Sequence, residues 1–173
     1  HVHLYPRESV ALPGVDFALG TLGHGLAVGA GMAKGLKLRR SRHRVFVLLG
    51  DGECDEGSVW EAVSADGAQC LDNLVAMVDW NGYQACARCE DVSGRLHLPE
   101  CWDAFGWHTE ELDGHDLSML RDCLMRPNPA GQPRVLFCRT VKGKGVDFME
   151  NNLEWHYRPV CGPERETALA RLK

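Results

Sequence analysis

The stretch "VFVLLGDGECDEGSVWEA" (residues 45–62) decides the fold of this chain. Its first five residues are aliphatic or aromatic and suit a buried β-strand, which runs into the Gly-Asp-Gly segment 50–52. Residues 58–70 have a helical pattern, and a second branched apolar run, "LVAMVD" (74–79), follows. We therefore predict a β-α-β unit whose first strand ends on a carboxylate held between two glycines.

The remaining segments continue this alternation of helices and strands. The patterns of residues 25–38 and 116–125 predict helices, the second with Asp116 as its N-cap. Residues 134–141, "RVLFCRTV", predict another strand, and residues 107–114 predict a weaker edge strand. Continuous apolar runs are typical of strands covered on both faces. We predict an α/β fold, a three-layer, doubly wound, mostly parallel sheet, in one domain spanning residues 1–173.

Composition excludes several classes of function. The net charge of −5 provides no excess of Lys and Arg for binding nucleic acid. No apolar run approaches the about 20 residues that cross a bilayer, and no signal peptide is visible, so we expect no membrane association. Eight cysteines are scattered through a chain with ample core residues, which favours reduced thiols and a cytoplasmic location. Cys86 and Cys89, with His97 and Cys101 downstream, leave a zinc site as an alternative for that segment.

Two oxygen-bearing side chains follow neighbouring strands of the predicted unit. Asp51 follows the first strand and Asn81, 30 residues later, follows the second, so one β-α-β turn brings both to the same edge of the sheet. Mg²⁺ takes about six oxygen ligands, usually one or two carboxylates with substrate phosphates. The carbonyl of Tyr83 offers a third protein oxygen. Gly-Asp-Gly or Asn-Gly alone is typical of a turn, and the pair leaves two alternatives open, two ordinary turns or a magnesium–diphosphate site.

Four segments in order resemble the transketolase family, and most closely the amino-terminal half of split, two-subunit transketolases. They are "GVDFALGTLGHGLAVGAGMAKGLKL" (14–38), the segment from Gly50 to Asn81, "AFGWHTEELDGHD" (104–116) and "RTVKGKGVDFMENNLEWH" (139–156). The resemblance implies the thiamine-diphosphate-binding fold. It also implies thiamine diphosphate and Mg²⁺ as cofactors, with Ca²⁺ or Mn²⁺ as substitutes. The implied reaction transfers a two-carbon ketol unit from a ketose, often a sugar phosphate, to an aldehyde.

The resemblance also assigns roles to individual residues. Asp51, Asn81 and the carbonyl of Tyr83 correspond to the metal ligands. The cofactor-binding set further includes Gly50, Gly52 and Glu53 near the diphosphate, the backbone of Gly20 and Leu22 at the aminopyrimidine, and His156. The catalytic set comprises His156, His24, His3 and Glu56, the last coupling the two active sites of a dimer.

Two departures from the family pattern concern the start of the chain. The family's His-Pro pair before Pro-Gly-Val is replaced by "HVHLYPRES" (1–9), where His3 is the candidate counterpart. A longer amino-terminal segment with another active-site histidine is missing from this sequence. We therefore expect either a chain truncated at its amino terminus or a site completed by a partner.

The family's reaction needs a glutamate from a pyrimidine-binding module, and no such module fits before Lys173. The resemblance thus implies a separate pyrimidine-binding carboxyl-terminal subunit, in a heterotetramer or larger assembly, acting on small ketose and aldose substrates. Two alternatives stay open. One is half of another thiamine-diphosphate enzyme, either a 2-oxo acid decarboxylating enzyme or a deoxyxylulose-phosphate synthase. The other is a cofactor-binding remnant without catalytic activity.

Overall fold

The computed structural model describes residues 14–17, 19–94 and 97–172. The predicted boundaries of the helices and strands agree with the observed ones to within two residues, and the first helix spans residues 25–38 as predicted. The helices, strands and 3₁₀ turns are, in chain order, α1 (Gly25–Leu38), β1 (Val45–Gly50), a first 3₁₀ turn (Gly52–Asp55), α2 (Gly57–Ala68), β2 (Leu74–Trp80), α3 (Cys89–Val92), α4 (Leu98–Ala104), β3 (His108–Asp113), α5 (Leu117–Met125), β4 (Arg134–Arg139), a second 3₁₀ turn (Leu153–His156) and α6 (Gly162–Arg171).

The sheet of the described residues has four strands in the order β1-β2-β4-β3, and every neighbouring pair is parallel. Gly50 lies opposite Asp79, and Asp79 lies opposite Cys138. This register places the carboxyl ends of β1, β2 and β4 side by side. Side chains that follow these strands therefore share one edge of the sheet, as the predicted parallel α/β fold requires.

Helices pack on both faces of the sheet and give it three layers. On one face α1, α2 and α4 contribute Leu26, Val63 and Trp102 to the larger core. On the other face Cys123 of α5 packs with Leu136 of β4 in a smaller core. The predicted three-layer α/β arrangement is confirmed.

Two sequence features explain how the helices are placed. The carboxylate of Asp116 accepts the backbone N–H groups of Ser118 and Met119 at 3.0 and 2.9 Å, so the predicted N-cap of α5 is confirmed. In α1, a Cβ added to Gly29 would lie 2.3 Å from a methyl carbon of Val47. The small residues of α1 thus allow this helix to lie close against β1.

One prediction about β1 is wrong. Its apolar run was expected to be covered on both faces, but Phe46 is 44% exposed and Leu48 is 69% exposed. In the described part of the chain β1 is the outermost strand, and α5 on that face packs against β3 at the other side of the sheet. An apolar sequence predicts that a strand can be buried, but the neighbouring elements decide whether both faces are.

Two global expectations can be compared with the described residues. Among them, no helix has both the length and the apolar character that a bilayer crossing requires. All eight cysteines are free thiols, three of them buried. The structure thus agrees with the expectation of reduced cysteines.

Candidate functional site

Asp51 and Asn81 meet at the carboxyl edge of the sheet, as their spacing predicts. Both side chains are buried, Asp51 to 3% exposure and Asn81 to 9%. One carboxylate oxygen of Asp51 accepts the N–H of Gly52 at 2.9 Å, and the other accepts the N–H of Gly82. The carboxylate thus contacts the residue next to Asn81, and the ends of β1 and β2 are joined through it. Their role as metal ligands stays a prediction.

The electrostatic environment of Asp51 favours a cation nearby. Burial raises the pKa of this carboxyl, the hydrogen bonds from Gly82 and Gly52 oppose the rise, and the negative charge of Asp79 adds to it. Two carboxylates therefore lie close together in a poorly solvated region. A divalent cation at this position would compensate both charges.

The loop after β2 leaves one backbone oxygen outside its own hydrogen-bond ladder. Tyr83 and Arg88 form an isolated antiparallel bridge, flanked by hydrogen bonds from Gln84 N–H to Ala87 C=O and from Cys89 N–H to Gly82 C=O. Tyr83 and Arg88 are thus a non-hydrogen-bonded pair, which leaves the carbonyl of Tyr83 outside this ladder. A buried carboxylate, an amide oxygen and such a carbonyl are the hard oxygen donors that Mg²⁺ prefers, so the residues fit this ion.

Gly52 allows the two loops of the site to approach each other. A Cβ at this position would lie 2.4 Å from the Cβ of Gln84 and 3.3 Å from its Cα. Any side chain at position 52 would therefore push the 82–88 loop away from Asp51. The requirement for glycine comes from this close contact.

The Cys86–Cys89 segment does not gather a zinc site. Among residues 14–17, 19–94 and 97–172, no three His, Cys, Asp or Glu side chains lie close enough together to hold a metal ion. Cys89 instead lies near Asp51, and burial together with that carboxylate raises the pKa of its thiol. Cys89 therefore belongs to the surroundings of Asp51.

The turn before α1 is tied to the Gly-Asp-Gly loop. One oxygen of Glu53 accepts the N–H of Gly23 at 2.9 Å, and the other accepts that of Gly50 at 3.2 Å. The hydroxyl of Ser58 donates to the carbonyl of Gly23 at 3.0 Å. Glu53 thus holds the turn against the end of β1, and its predicted contact with a cofactor stays a prediction.

The predicted residues near this turn are mostly exposed. Gly20 and Leu22 lie on its outer side, and a ring nitrogen of His24 lies 3.0 Å from the carbonyl of Leu22. Glu56 is the exposed N-cap residue of α2. These four positions are on one surface next to the Asp51 loop, so they are available to a ligand or to another protein chain.

His156 lies at the second 3₁₀ turn, where its Nδ1 is 3.1 Å from the ammonium of Lys142. Lys142 lines a groove of about 940 Å³ together with Asp79, Asn81 and Trp155. The structure therefore connects His156, through Lys142, to the groove that reaches Asn81. His3 lies outside the described residues.

Three residues of this edge were missed by the sequence analysis: Asp79, Thr140 and Lys142. Asp79 accepts hydrogen bonds from both Asn81 and Thr140. Thr140 and Lys142 directly follow β4, whose neighbour in the sheet is β2. The rule that placed Asp51 and Asn81 at this edge also applies to β4, but the strand order was needed to show that β4 ends beside Asn81.

Comparison with solved structures identifies the fold class first. The transketolase of Campylobacter jejuni superposes with a TM-score of 0.85 at 24% identity, over 94% of this chain and 27% of that one. The chain therefore has the fold of a transketolase domain.

Sequence comparison then identifies the family. The family described as "Transketolase, thiamine diphosphate binding domain" matches residues 5–172. An apulose-4-phosphate transketolase subunit of Actinobacillus succinogenes is 40% identical over 161 residues, which are 93% of this chain and 58% of that protein. Mouse transketolase is 39% identical over 161 residues, covering 91% of this chain and 25% of that protein. The chain belongs to the transketolase family, as its thiamine-diphosphate-binding domain.

The matched length is shorter than the relatives. The chain spans 58% of the Actinobacillus protein and 59% of its namesake from Phocaeicola vulgatus. It spans the same 58% of a 6-deoxy-6-sulfo-D-fructose transketolase subunit from a Clostridium species, to which it is 32% identical. All three of these relatives are named as subunits.

Proposed function

We propose that this chain is the diphosphate-binding part of a thiamine-diphosphate- and Mg²⁺-dependent transketolase. The reaction is transfer of a two-carbon ketol unit from a ketose or ketose phosphate to an aldehyde. The observation that carries the proposal is the convergence of Asp51 and Asn81 on one buried point, beside a groove that also contains Lys142. Family membership supplies the reaction class and favours it over 2-oxo acid decarboxylation and a non-catalytic remnant.

Three oxygens would hold the metal: the carboxylate of Asp51, the amide oxygen of Asn81 and the carbonyl of Tyr83. Lys142 provides a positive charge in the same groove for the diphosphate. Gly52 keeps the two loops in contact. Bound thiamine diphosphate would supply the nucleophilic carbon and the electron sink for cleaving a carbon–carbon bond.

His156 is the histidine that we propose for the end of this groove, where it contacts Lys142. An ammonium group only donates hydrogen bonds, so Lys142 donates to Nδ1 of His156 and the proton of the neutral ring resides on Nε2. This contact fixes the orientation of the imidazole beside the groove, and we propose that His156 acts there on the substrate. We include His24 as a second candidate at the exposed turn.

The partner in this proposal is a separate pyrimidine-binding chain in a heteromer. The support is indirect: the three bacterial relatives are named as subunits, and two of them act, by their name, on apulose 4-phosphate. The exposed surface formed by Leu22, His24 and Glu56 lies next to the Asp51 loop, where a second chain could cover a cofactor. Magnesium and a cytoplasmic location remain part of the proposal.

The experiment compares wild type with Asp51→Ala in the full-length chain, alone and co-purified with a candidate pyrimidine-binding chain. Mg²⁺ is titrated at constant thiamine diphosphate, and cofactor binding is followed by calorimetry. We expect the wild-type complex to bind the cofactor and turn over ketose donors, and the chain alone to be inactive. Asp51→Ala should lower Mg²⁺-dependent affinity at least about 100-fold, because it removes a direct ligand where loss of an outer partner already costs about 10–100-fold.

Asp113→Ala is the matched control, since this exposed carboxylate ends β3 at the same edge and, among the described residues, accepts one hydrogen bond, from the N–H of His115 at 2.9 Å. It should bind metal and cofactor as wild type does. An active, cofactor-saturated chain without partner would refute the two-chain proposal. Unchanged affinity in Asp51→Ala, with the protein folded, would refute the metal site.

A further inference from the structure

Asp79 lies next to the candidate metal site and contacts residues at the ends of three strands. Its backbone carbonyl accepts the N–H of Asp51 at 3.2 Å. One side-chain oxygen accepts the amide Nδ2–H of Asn81 at 3.2 Å, and the other accepts the hydroxyl of Thr140. Asp79 therefore links the ends of β1, β2 and β4 with a single residue.

The two ends of the Asn81 amide are not equivalent for a metal. An asparagine side chain has one oxygen, which accepts, and one NH₂ group, which donates. Mg²⁺ coordinates oxygen, so a 180° rotation of the amide would present NH₂ and abolish the ligand. Metal binding by Asn81 thus requires neighbouring groups that fix the orientation of its amide.

Two hydrogen-bond partners of Asn81 fix this orientation. The carboxylate of Asp79 can only accept, so the NH₂ group must face it. The N–H of Tyr83 can only donate, and it meets the amide oxygen at 2.9 Å. The oxygen consequently lies on the side of the 81–83 loop, whose Gly82 N–H donates to Asp51.

We propose that Asp79 is a positioning residue of the metal site: it holds the NH₂ of Asn81, and Thr140 holds Asp79, so that the Asn81 oxygen faces the ion. Asp79 acts through Asn81 and is not itself a ligand. This inference rests on the proposed function, because it presumes that Asn81 binds the metal. It adds Asp79 to the site as a residue that contacts the ligand Asn81 and is itself held by Thr140, the residue after β4.

The first test is Asp79→Ala in the full-length chain with its partner, measured by Mg²⁺ titration at constant thiamine diphosphate. We expect Mg²⁺ affinity to fall about 10–100-fold, as is typical when a ligand loses its outer hydrogen-bond partner. Asp113→Ala, which removes a carboxylate from the same edge, should leave the affinity unchanged. Thermal unfolding without metal is recorded for both variants, so that a loss of folding is recognised.

The sharper test exchanges the two side chains. In Asn81→Asp alone, two carboxylates face each other and Mg²⁺ binding should weaken. In Asp79→Asn combined with Asn81→Asp, the new amide at 79 accepts from Thr140 and donates to the carboxylate at 81, whose second oxygen faces the metal. The double variant keeps the charge of the site and should bind Mg²⁺ at least about tenfold more tightly than Asn81→Asp, the lower bound for regaining an outer-shell partner.

The outcomes separate the two proposals. If the wild-type complex does not bind Mg²⁺ with thiamine diphosphate, the proposed function itself fails. If the wild type binds but Asp79→Ala binds equally well, or the exchanged pair is as weak as Asn81→Asp, the positioning role of Asp79 is overturned while the function stands. Rescue by the exchanged pair supports positioning, since a general structural role would not be restored by a reversed hydrogen bond.

Discussion

Charged side chains are buried at both ends of the parallel sheet. Carboxylates accept hydrogen bonds from donors at one end, and a guanidinium donates to acceptors at the other. At the carboxyl end, the carboxylates of Asp51 and Asp79 lie close to each other and accept hydrogen bonds from N–H and O–H donors. At the amino end, Arg134 is 1% exposed and donates to the carbonyls of Cys123 and Arg126 at the end of α5, at 2.6 and 3.3 Å. An oxygen of Glu110 lies 3.6 Å from the same guanidinium.

The difference teaches that burial of a charge does not identify a functional site. Arg134 meets the negative end of a helix and a carboxylate, which offset the burial of its charge only in part, because burial and the positive charges of Arg126 and Arg44 lower its pKa. The carboxylates at the other end reinforce each other's negative charge, which a cation would offset. An opposite charge within the protein, Glu110 beside Arg134, distinguishes the amino end from the carboxyl end.

The largest expected effect on stability is at the amino end. Arg134→Met should lower the free energy of unfolding by about 3 kcal/mol, because it removes the buried donor to the carbonyl of Cys123 and one of the two arginines that pair with Glu110. Urea unfolding measures this change. Once folded, the variant should bind Mg²⁺ and thiamine diphosphate like wild type.

Arg121→Met is the control for this prediction, since Arg121 of α5 is exposed and its ion pair in the described part of the chain is with exposed Asp122. Its unfolding free energy should change by less than about 1 kcal/mol. A variant of Arg134 that keeps full stability but loses metal affinity would contradict the division of roles between the two ends.

A smaller effect concerns Asp66, a buried charge at neither end. Asp66 of α2 is 1% exposed, its Oδ2 has no hydrogen-bond partner in the described structure, and burial raises its pKa to about 7. Since the unfolded chain ionises near the ordinary value, the unfolded state has lost this proton at pH values where the folded state still holds it. Stability should therefore fall as pH rises from about 4 to about 7, and level off above that.

Between about pH 5 and 8 the expected loss is about 2.5 kcal/mol. Asp66→Asn, which is similar in size and does not ionise, should remove this part of the pH dependence. The measurement is urea unfolding of both proteins across the pH range. Parallel curves for wild type and variant would show that Asp66 does not titrate in this way.

The smallest effect is expected for a charge at the carboxyl end that faces solvent. Arg139 ends β4, stacks over Trp80 at 4.2 Å and pairs with Glu111 at 2.7 Å, with 63% of its side chain exposed. Arg139→Ala should lower the unfolding free energy by less than about 1 kcal/mol, and less still at high salt. Mg²⁺ affinity should not change; a clear loss would mean that the site extends to the outer side of β4.

The sequence predicted the parallel α/β fold and the meeting of Asp51 with Asn81, because local periodicity and a single β-α-β unit determine both. It did not predict the contribution of Thr140 and Lys142. Their position depends on β4 lying beside β2, which results from packing between segments distant in the chain. Asp79 was missed for a similar reason: in the sequence it completes an apolar strand, and its polar partners appear only when three strand ends are assembled.

The exposed outer face of β1 has a practical consequence. Phe46 and Leu48 project from the outermost strand of the described sheet, and no described strand pairs with its outer edge. Such a strand is a template for intermolecular β-pairing. Preparations of these 173 residues alone should consequently self-associate on concentration, and charged substitutions at position 48 should delay precipitation.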